Sequence, residues 1–286
     1  MRLRALLLAL LLPVVARSSL QVDLVLSHFA EPLDAVAAFV QRARAALLQA
    51  AEPAELRSVY LVTHASRAAI EGRTDPPWQV LHVPCGNCGR ESSAYLFWIE
   101  QHGREDGLDL VWFSHAVPDA YMERTLWPRL KLLSRRTGML GLAIVGGTSC
   151  SGANDPALGP LMSAIYFAHT GVFCRESTGW SVMFNAEFIV SARRLRMLHP
   201  WLAKRLRKQL EAPDDDLIHL TPGWQTPTMT PQNSSRVSPI LGYAIERMWN
   251  LWFNCTRWYG PSCDDSAPCV ADAAQCLDEV DDDRKT

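Results

Sequence analysis

The sequence predicts an α/β fold in which a mostly parallel sheet is flanked by helices. Short apolar runs rich in β-branched residues alternate with longer segments of helical apolar spacing, which is the pattern of βαβ units. The chain has 286 residues, of which 48% are hydrophobic and 20% charged, so its composition is that of a packed globular protein. This length suits one large α/β domain, which we place at residues 17–253, with a Cys-rich extension at residues 254–286.

The first half of the chain supplies most of the predicted sheet. Five apolar runs predict strands, at residues 22–27, 58–63, 79–83, 108–113 and 141–145. Three segments with helical spacing predict helices, at residues 31–49, 92–102 and 122–136. Ligands bind at the carboxyl ends of parallel strands, so the residues directly after each strand are the first candidates for a site.

The second half has a less regular pattern. It predicts a strand at residues 181–191, a basic helix at 192–211 interrupted by Pro200, and an aromatic-rich helix at 240–253. Residues 212–237 are rich in Pro, Thr and Asp, which indicates a long surface loop. The acidic run at 278–283 predicts a disordered tail.

The N-terminus, residues 1–16, has the features of a secretory signal peptide. A basic start at Met1–Arg4 precedes an apolar run that ends at Ala16. Val14 and Ala16 are the small residues expected before a cut at Arg17. The run is shorter than the about 20 apolar residues that span a bilayer. We therefore expect a protein that is secreted or resides in the lumen of the endoplasmic reticulum or Golgi, with no membrane span after cleavage.

The charge balance excludes one class of partner. Lys and Arg number 28 against 30 Asp and Glu, a net charge of −2, and removal of Arg2 and Arg4 with the signal peptide makes it −4. Nucleic-acid-binding proteins carry a clear basic excess. The basic residues of the run at 193–208 are then a solvated helix face. We expect a small-molecule or glycan ligand and no nucleic acid.

Cysteine usage agrees with the secretory pathway. All eight cysteines follow the signal peptide, and an even number in an oxidising compartment favours disulfides. Their pairing stays open, except that we expect local bridging among the last four, which are Cys255, Cys263, Cys269 and Cys276. Two N-glycosylation sequons begin at Asn233 and Asn254.

The Cys85-Gly-Asn-Cys88 segment has three interpretations: half of a zinc site, a redox motif or a disulfide. A zinc site needs a second pair of ligands at suitable spacing, and His82 and His102 do not supply one. A structural disulfide, or two separate ones, is therefore favoured over zinc.

The same segment opens into a predicted helix and is a candidate anion cradle. Gly86 and Gly89 permit unusual backbone angles, amides at a helix start are free to bind an anion, and Arg90 adds a fork of donors. In the alternative, Glu91 favours the helix start and Arg90 pairs with a surface carboxylate.

Two histidines follow predicted strands. His115 ends the fourth strand and His28 follows the first, so both lie at the edge where ligands bind. There, a histidine serves as base, metal ligand or hydrogen-bond donor. A core histidine with its hydrogen bonds satisfied is the alternative for each.

Two glutamates stand in apolar surroundings. Glu187 lies within the apolar stretch 183–190, and burial of a lone carboxylate is costly unless it is paired or functional. Glu246 lies on the aromatic helix, where its neighbour Trp249 is placed to stack on a ligand. Ion pairing is the alternative for both glutamates.

Several catalytic signatures are absent from the sequence. The segment 146–152 does not fit the Gly-x-Ser-x-Gly nucleophile elbow, which argues against a serine hydrolase. Neither a phosphate-binding loop signature nor a dinucleotide fingerprint occurs.

Three blocks of the chain carry a family resemblance. They are Val25-Leu-Ser-His-Phe-Ala-Glu31, Asn87-Cys-Gly-Arg-Glu-Ser-Ser-Ala-Tyr-Leu96, and Ala186-Glu-Phe-Ile-Val-Ser-Ala-Arg193 with Glu246-Arg-Met-Trp249. In this order they resemble an uncharacterised family, the domain of unknown function numbered 3431, over roughly residues 22–253. The middle block, which contains Glu91 and Tyr95, is the most specific.

The layout of that family is similar to glycosyltransferases that use nucleotide sugars, which implies a glycosyltransferase-A-like fold. By this analogy Asn87 and Arg90 face the nucleotide diphosphate, and Glu246 is the base that deprotonates the acceptor hydroxyl. The resemblance further implies a divalent metal held by an Asp-x-Asp motif after a strand. No such motif follows the fourth strand, and the aspartates 214–216 lie in the predicted loop, so the metal stays unknown.

Two functions follow as hypotheses. The first is a transferase that moves a sugar from a nucleotide donor to a hydroxyl acceptor, with Glu246 and His115 as catalytic residues. The second is a non-catalytic secreted glycan-binding protein with the same fold, which the missing Asp-x-Asp motif favours. A hydrolase needs two carboxylates about one pocket, and Glu187 with Glu246 is the candidate pair. Clustering of Asn87, Arg90, His115 and Glu246 at one sheet edge favours an enzyme.

Overall fold

The fold is that of a computed structural model, which describes residues 19–66, 70, 78–143, 145–150, 158–175, 178–220, 234–255 and 275–278. The predicted signal peptide, the sequon at Asn233, and Cys263 and Cys269 lie outside these residues.

Seven strands form one mixed sheet. They are β1 (Leu20–His28), β2 (Ala54–Thr63), β3 (Trp78–His82), β4 (Leu110–His115), β5 (Thr137–Gly141), β8 (Phe188–Ser191) and β9 (Gln275–Leu277). Their order is β3-β2-β1-β4-β8-β5-β9. The strands β1 to β4 are parallel, whereas β8 runs antiparallel to both β4 and β5. The predicted α/β fold with parallel central strands is therefore confirmed.

A second, smaller sheet lies outside the main one. It consists of β6 (Val145–Ser149) and β7 (Gly179–Met183), which pair antiparallel. The strand predicted at residues 141–145 is wrong, because β5 ends at Gly141 and β6 begins at Val145. The residues between them carry the chain from one sheet to the other.

Helices cover both faces of the main sheet. They are α1 (Leu33–Leu47), α2 (Arg90–His102), α3 (Ala120–Leu130), α4 (Gly159–Thr170), α5 (Ala192–Leu195), α6 (Pro200–Leu210), α7 (Leu217–Leu220), α8 (Ile240–Glu246) and α9 (Trp249–Trp252). Within the described part of the chain, none of them is both long and apolar enough to cross a membrane.

Alternating side chains of β4 pack into two hydrophobic cores, one on each face of the sheet, as expected for a strand buried on both faces. Phe113 belongs to the core that contains α2, where its ring lies 5.6 Å from that of Trp98. Trp112 belongs to the core on the opposite face, where its ring lies 5.9 Å from that of Phe39 on α1. These two cores hold the carboxyl end of β4 in a fixed position.

Three predicted helices have different bounds in the structure. The helix predicted at 122–136 spans Ala120–Leu130 and contains Pro128 within it. The helix predicted at 192–211 is two helices, because α6 starts afresh at Pro200 with the His199 side chain accepting a hydrogen bond from the Trp201 amide. The helix predicted at 240–253 is divided between α8 and α9.

The strand predicted at residues 181–191 is two strands in different sheets. Between β7 and β8 the chain turns sharply at Asn185 and Ala186, which both have positive φ, 67° and 48°. Helix α4 has no counterpart among the predicted elements, and the loop predicted at 212–237 contains α7.

The C-terminal segment contributes to the main sheet through β9. Asp278, predicted to lie in a disordered tail, instead accepts hydrogen bonds from Arg194 Nε and Ser191 Oγ, both at 2.6 Å. The side chains of Arg194 and Asp278 are mostly buried, so this pair fixes the edge strand to the domain.

Candidate functional site

The candidate site lies where the strand order of the sheet reverses. From β1 the chain proceeds outward to β2 and β3 and then returns to place β4 on the other side of β1. In open α/β sheets, ligands bind in the crevice outside the carboxyl ends of the strands at this reversal. His115 is the last residue of β4 and lies beside Ser27 of β1.

His115 is bound to a buried carboxylate. Its Nδ1–H and its backbone N–H both donate to Glu187 Oε1, each at 2.7 Å. Glu187 is fully buried, and its Oε2 accepts no hydrogen bond from the described residues. On the other side of the imidazole, Nε2 lies 3.9 Å from Glu91 Oε2.

The two carboxylates keep His115 charged. Burial alone would lower the pKa of His115, but the hydrogen bond and charge of Glu187, with the charge of Glu91, outweigh it and raise the pKa to about 9. His115 is therefore an imidazolium at neutral pH. Since 23% of its side chain is exposed, its charge is accessible to a ligand.

Arg90 adds a second positive charge beside Glu91. Its Nε lies 3.4 Å from Glu91 Oε2, and its guanidinium packs over the Tyr243 ring at 4.5 Å from the centroid. Its Nη1 is buried and has no hydrogen-bond partner among the described residues. Burial lowers the pKa of Arg90, but the charges of Glu91, Tyr243 and Glu246 raise it above its ordinary value, so the guanidinium stays protonated.

Glu246 completes a charged cluster, which we define as Arg90, Glu91, His115, Glu187 and Glu246. It is buried at the end of α8 and accepts a hydrogen bond from the backbone amide of Asn185 at 3.0 Å. Burial and the charge of Glu91 raise its pKa, against the opposing effects of Asn185, Arg247 and Arg90. A carboxylate with a raised pKa is suited to accept a proton at neutral pH.

Backbone strain surrounds the charged cluster. Of the four described non-glycine residues with positive φ, Arg90 (54°) belongs to the cluster, and Asn185 (67°) and Ala186 (48°) directly precede Glu187. Such conformations cost on the order of 1–3 kcal/mol each and concentrate at functional sites. The strained turn at Asn185 and Ala186 places the Asn185 amide on Glu246 and leads directly into Glu187.

Tyr95, also predicted as a site residue, lies behind the cluster. It is fully buried, and burial together with the charges of Glu187 and Glu91 raises its pKa well above the ordinary value. Its hydroxyl has no hydrogen-bond partner among the described residues. Six predicted site residues thus come together around the end of β4.

Three predicted ligand contacts lie elsewhere. His28 is buried with both ring nitrogens in use, Nδ1 with Thr63 Oγ1 at 2.8 Å and Nε2 with the Glu31 carbonyl at 3.0 Å. Asn87 is exposed in the loop before α2. Trp249 is fully buried, and its ring packs against those of Tyr95, Phe188, Trp252 and Phe253. The ring of Trp249 therefore packs in the core instead of stacking on a ligand.

The predicted anion cradle is partly occupied by the protein itself. The Gly89 amide donates to the Arg236 carbonyl at 2.8 Å, and Arg236 Nη2 donates to the Cys85 carbonyl at 3.1 Å. Arg90, but not the Gly89 amide, therefore remains available to an anion.

His64 is a site residue that the sequence reasoning missed. It follows β2 directly, while His28 and His115 are the last residues of β1 and β4, so the same positional rule identifies it. Its Nδ1–H donates to the Gly86 carbonyl at 2.6 Å. The guanidinium of Arg247 packs over the Phe184 ring, and its charge acts on Glu246.

Six of the cysteines are described, and they fall into three close pairs. Cys85 with Cys88 and Cys150 with Cys174 lie at disulfide distance, with Cα separations of 6.1 and 5.9 Å. Cys255 and Cys276 lie in hydrogen-bond contact with each other, and this contact together with burial raises the pKa of Cys255. These pairs are compatible with an oxidising compartment. Asn254, beside Cys255, is exposed, as glycosylation requires.

The charged cluster does not fit the divalent metal that the family resemblance implies. Among the described residues, the one group of three metal-binding side chains with neighbouring ligand atoms is His64, Cys85 and Cys88, which contains no carboxylate. The glutamates of the cluster are instead engaged with His115, Arg90 and the Asn185 amide.

Comparison of the chain with known protein-family models and with curated proteins finds no match to either. The resemblance given above therefore stays a prediction.

Proposed function

We propose that this protein transfers a sugar from a nucleotide donor to a hydroxyl acceptor, and that the charged cluster is its active site. The observation that supports this most is the pairing of protonated His115 with buried Glu187 at the strand reversal of the sheet, beside Arg90. Two accessible cations at this point suit a diphosphate, the charged part of a nucleotide sugar.

In this proposal Arg90 and His115 act on the donor. Arg90 binds the diphosphate through the exposed part of its guanidinium, and the Nε2–H of His115 donates to the diphosphate oxygen that becomes negative as the sugar leaves. Glu187 keeps His115 protonated and fixes its ring. Because the cluster does not fit a metal, these two cations perform the charge neutralisation.

Glu246 acts on the acceptor. A base must hold no proton before reaction and yet accept one from a hydroxyl, so a carboxylate with a raised pKa suits this role. Burial and Glu91 raise the pKa of Glu246 accordingly. The Asn185 amide holds the carboxylate in place at 3.0 Å.

The order of elements supports a glycosyltransferase-A-like fold, which we also propose. A strand–helix half, β1 to β4, supplies the donor side. The second half follows with strand β8, the basic helix α6 and then α8, which carries Glu246. This is the layout that the family resemblance implies.

A thermal-shift titration with uridine and guanosine diphosphates, with and without manganese, tests donor binding. We expect one nucleotide to raise the melting temperature of the mature protein, by an amount that grows with ligand concentration. Arg90→Ala should abolish the rise. Arg42→Ala, which removes an exposed arginine on α1, is the matched control and should retain it. If no nucleotide produces a shift, the diphosphate does not bind here.

The alternative is a glycan-binding protein without catalysis, which the missing Asp-x-Asp motif favours. Release of nucleoside diphosphate from nucleotide sugars separates the two functions. The transferase is supported if the protein turns over a nucleotide sugar and if Glu246→Gln abolishes this turnover but keeps the thermal shift. The alternative is supported if the protein binds ligands but turns over none of a panel of donors and acceptors. The hydrolase hypothesis is not favoured, because Glu187 is engaged by His115.

A further inference from the structure

A second group of chemically reactive side chains lies beside the charged cluster. It consists of His64, directly after β2, and Cys85 and Cys88, in the loop after β3. We propose that, when the two cysteines are reduced, these three residues bind one Zn²⁺ ion. This site goes beyond the proposed transferase and does not depend on it.

The sheet brings the three residues together. Strands β2 and β3 pair in parallel with Thr63 beside His82, so the chain leaves both strands at the same edge. One potential ligand atom from each residue lies within 4.8 Å of the other two. Tetrahedral zinc has bonds of about 2.0–2.3 Å to its ligand atoms, so the Cys85 and Cys88 sulfurs, which lie at disulfide distance, must separate after reduction to hold the ion.

His64 is oriented as metal-binding histidines are. Its Nδ1–H donates to the Gly86 carbonyl at 2.6 Å, which fixes the ring and leaves Nε2 as the lone-pair nitrogen. Nε2 is buried without a hydrogen-bond partner among the described residues, although only 7% of His64 is exposed.

The cysteine loop is held in a fixed shape. Gly86 has a positive φ of 65°, and Arg236 bonds to the backbone at both Cys85 and Gly89. Cys88 is buried and Cys85 is half-buried. Two cysteines at this spacing are a usual half of a zinc site, and thiolates with an imidazole select zinc over magnesium or calcium.

Three protein ligands leave one position of a tetrahedral ion open to water or an added ligand, as in zinc sites that act on substrates. Zinc binding and a Cys85–Cys88 disulfide exclude each other, because both use the same sulfur atoms. Metal binding should therefore depend on the redox state of this pair.

The test is titration of the full mature chain with Co²⁺, followed by displacement with Zn²⁺, after reduction by a phosphine and removal of excess reductant. We expect one equivalent of Co²⁺ to bind, with the intense visible bands of a tetrahedral site and the near-ultraviolet charge transfer of thiolate ligands. Zn²⁺ should remove both signals. The oxidised protein should bind at least tenfold more weakly.

Variants assign the ligands. Cys88→Ser and His64→Asn should each weaken binding at least tenfold; the asparagine amide can keep the bond to the Gly86 carbonyl while the metal-binding nitrogen is removed. The control is the double variant Cys255→Ser with Cys276→Ser, which removes the contacting pair of thiols near the C-terminal strand and should bind normally. Unaltered melting temperature without metal shows that each variant is folded. Equal binding by Cys88→Ser and the parent, or no binding by the reduced parent, overturns the proposal.

Discussion

His115 Nδ1 and Glu187 Oε1 lie 2.7 Å apart, although the two residues are 72 positions apart in the chain. They meet because β4 and β8 run antiparallel, with Phe113 beside Phe188, so the end of β4 lies next to the start of β8. Between the two residues, the chain contains β5, both strands of the second sheet and the strained turn before Glu187. The contact therefore depends on most of the fold.

Replacing Glu187 with glutamine should lower the pKa of His115. The hydrogen bond and charge of Glu187 are the main causes that raise it to about 9, and burial, which lowers it, would remain. We expect a pKa below the ordinary value of about 6.5, measured from the pH dependence of the imidazole NMR signals.

The matched variant is Glu91→Gln, which removes the weaker of the two carboxylate effects on the same imidazole. Its effect on the pKa of His115 should have the same direction and be smaller. An unchanged pKa in Glu187→Gln would show that the two side chains do not pair in solution.

Stability should fall as pH rises from about 6.5 to 9. The pKa of His115 is higher in the folded chain than in the unfolded chain, so its contribution is complete below about pH 6.5 and is lost as pH rises through 9. A difference of two to three pKa units corresponds to on the order of 3 kcal/mol, as an upper value. Urea unfolding at a series of pH values measures this slope.

Glu246 should add to the same trend at lower pH, because its pKa is also raised by folding, and its contribution is lost as pH rises above the ordinary glutamate range. In Glu187→Gln the decline between pH 7 and 9 should be much shallower. A parent protein whose stability increases over this interval would contradict the assignment of His115 as an imidazolium.

The sequence predicts the sheet well and the site in part, for reasons that differ between residues. The strands that become β1 to β4 are continuous apolar runs, because burial on both faces leaves a local pattern. His115 and His28 occupy equivalent positions after strands, yet only His115 meets a buried carboxylate. That difference arises from β8, which is far along the chain, so no local pattern reports it.

The turn at Asn185 and Ala186 shows a second limit. Residues 181–191 have the apolar character of one strand, and neither a glycine nor a proline marks the break. Tertiary contacts stabilise the strained turn, including the hydrogen bond of the Asn185 amide to Glu246. Trp249 is predicted to contact a ligand because of its aromatic ring. In the structure, the rings of neighbouring elements enclose it.

Substitution of Gly89 by alanine should be much more destabilising than that of Gly86. Both have a positive φ, 68° and 65°, so alanine at either costs about 1–2 kcal/mol in backbone strain. At Gly89 the added Cβ would also lie 2.5 Å from Ser93 Cβ and 3.1 Å from Leu210 Cβ, whereas at Gly86 nothing lies within 4 Å. Such overpacking adds about 1–3 kcal/mol.

Chemical denaturation of the two glycine variants measures the difference, with Gly86→Ala as the control for backbone strain alone. Similar losses in both variants would mean that Gly89 is not packed against Ser93 and Leu210 as described.

Arg194 should fix the C-terminal strand to the domain. Its guanidinium donates to Asp278 Oδ1 at 2.6 Å and to the carbonyls of Phe253, Asn254 and Leu277. Only 11% of its side chain is exposed, and removal of one partner from a mostly buried ion pair leaves the other charge unpaired.

We expect Arg194→Met to lower the free energy of unfolding by about 3 kcal/mol and to expose residues 275–278 to limited proteolysis. Arg193→Met, at the exposed neighbouring position, should leave both stability and cleavage unchanged. Mass spectrometry of the first cleavage products decides the matter: early cuts at this strand in Arg194→Met alone support the anchor, and equal cleavage of both variants would refute it.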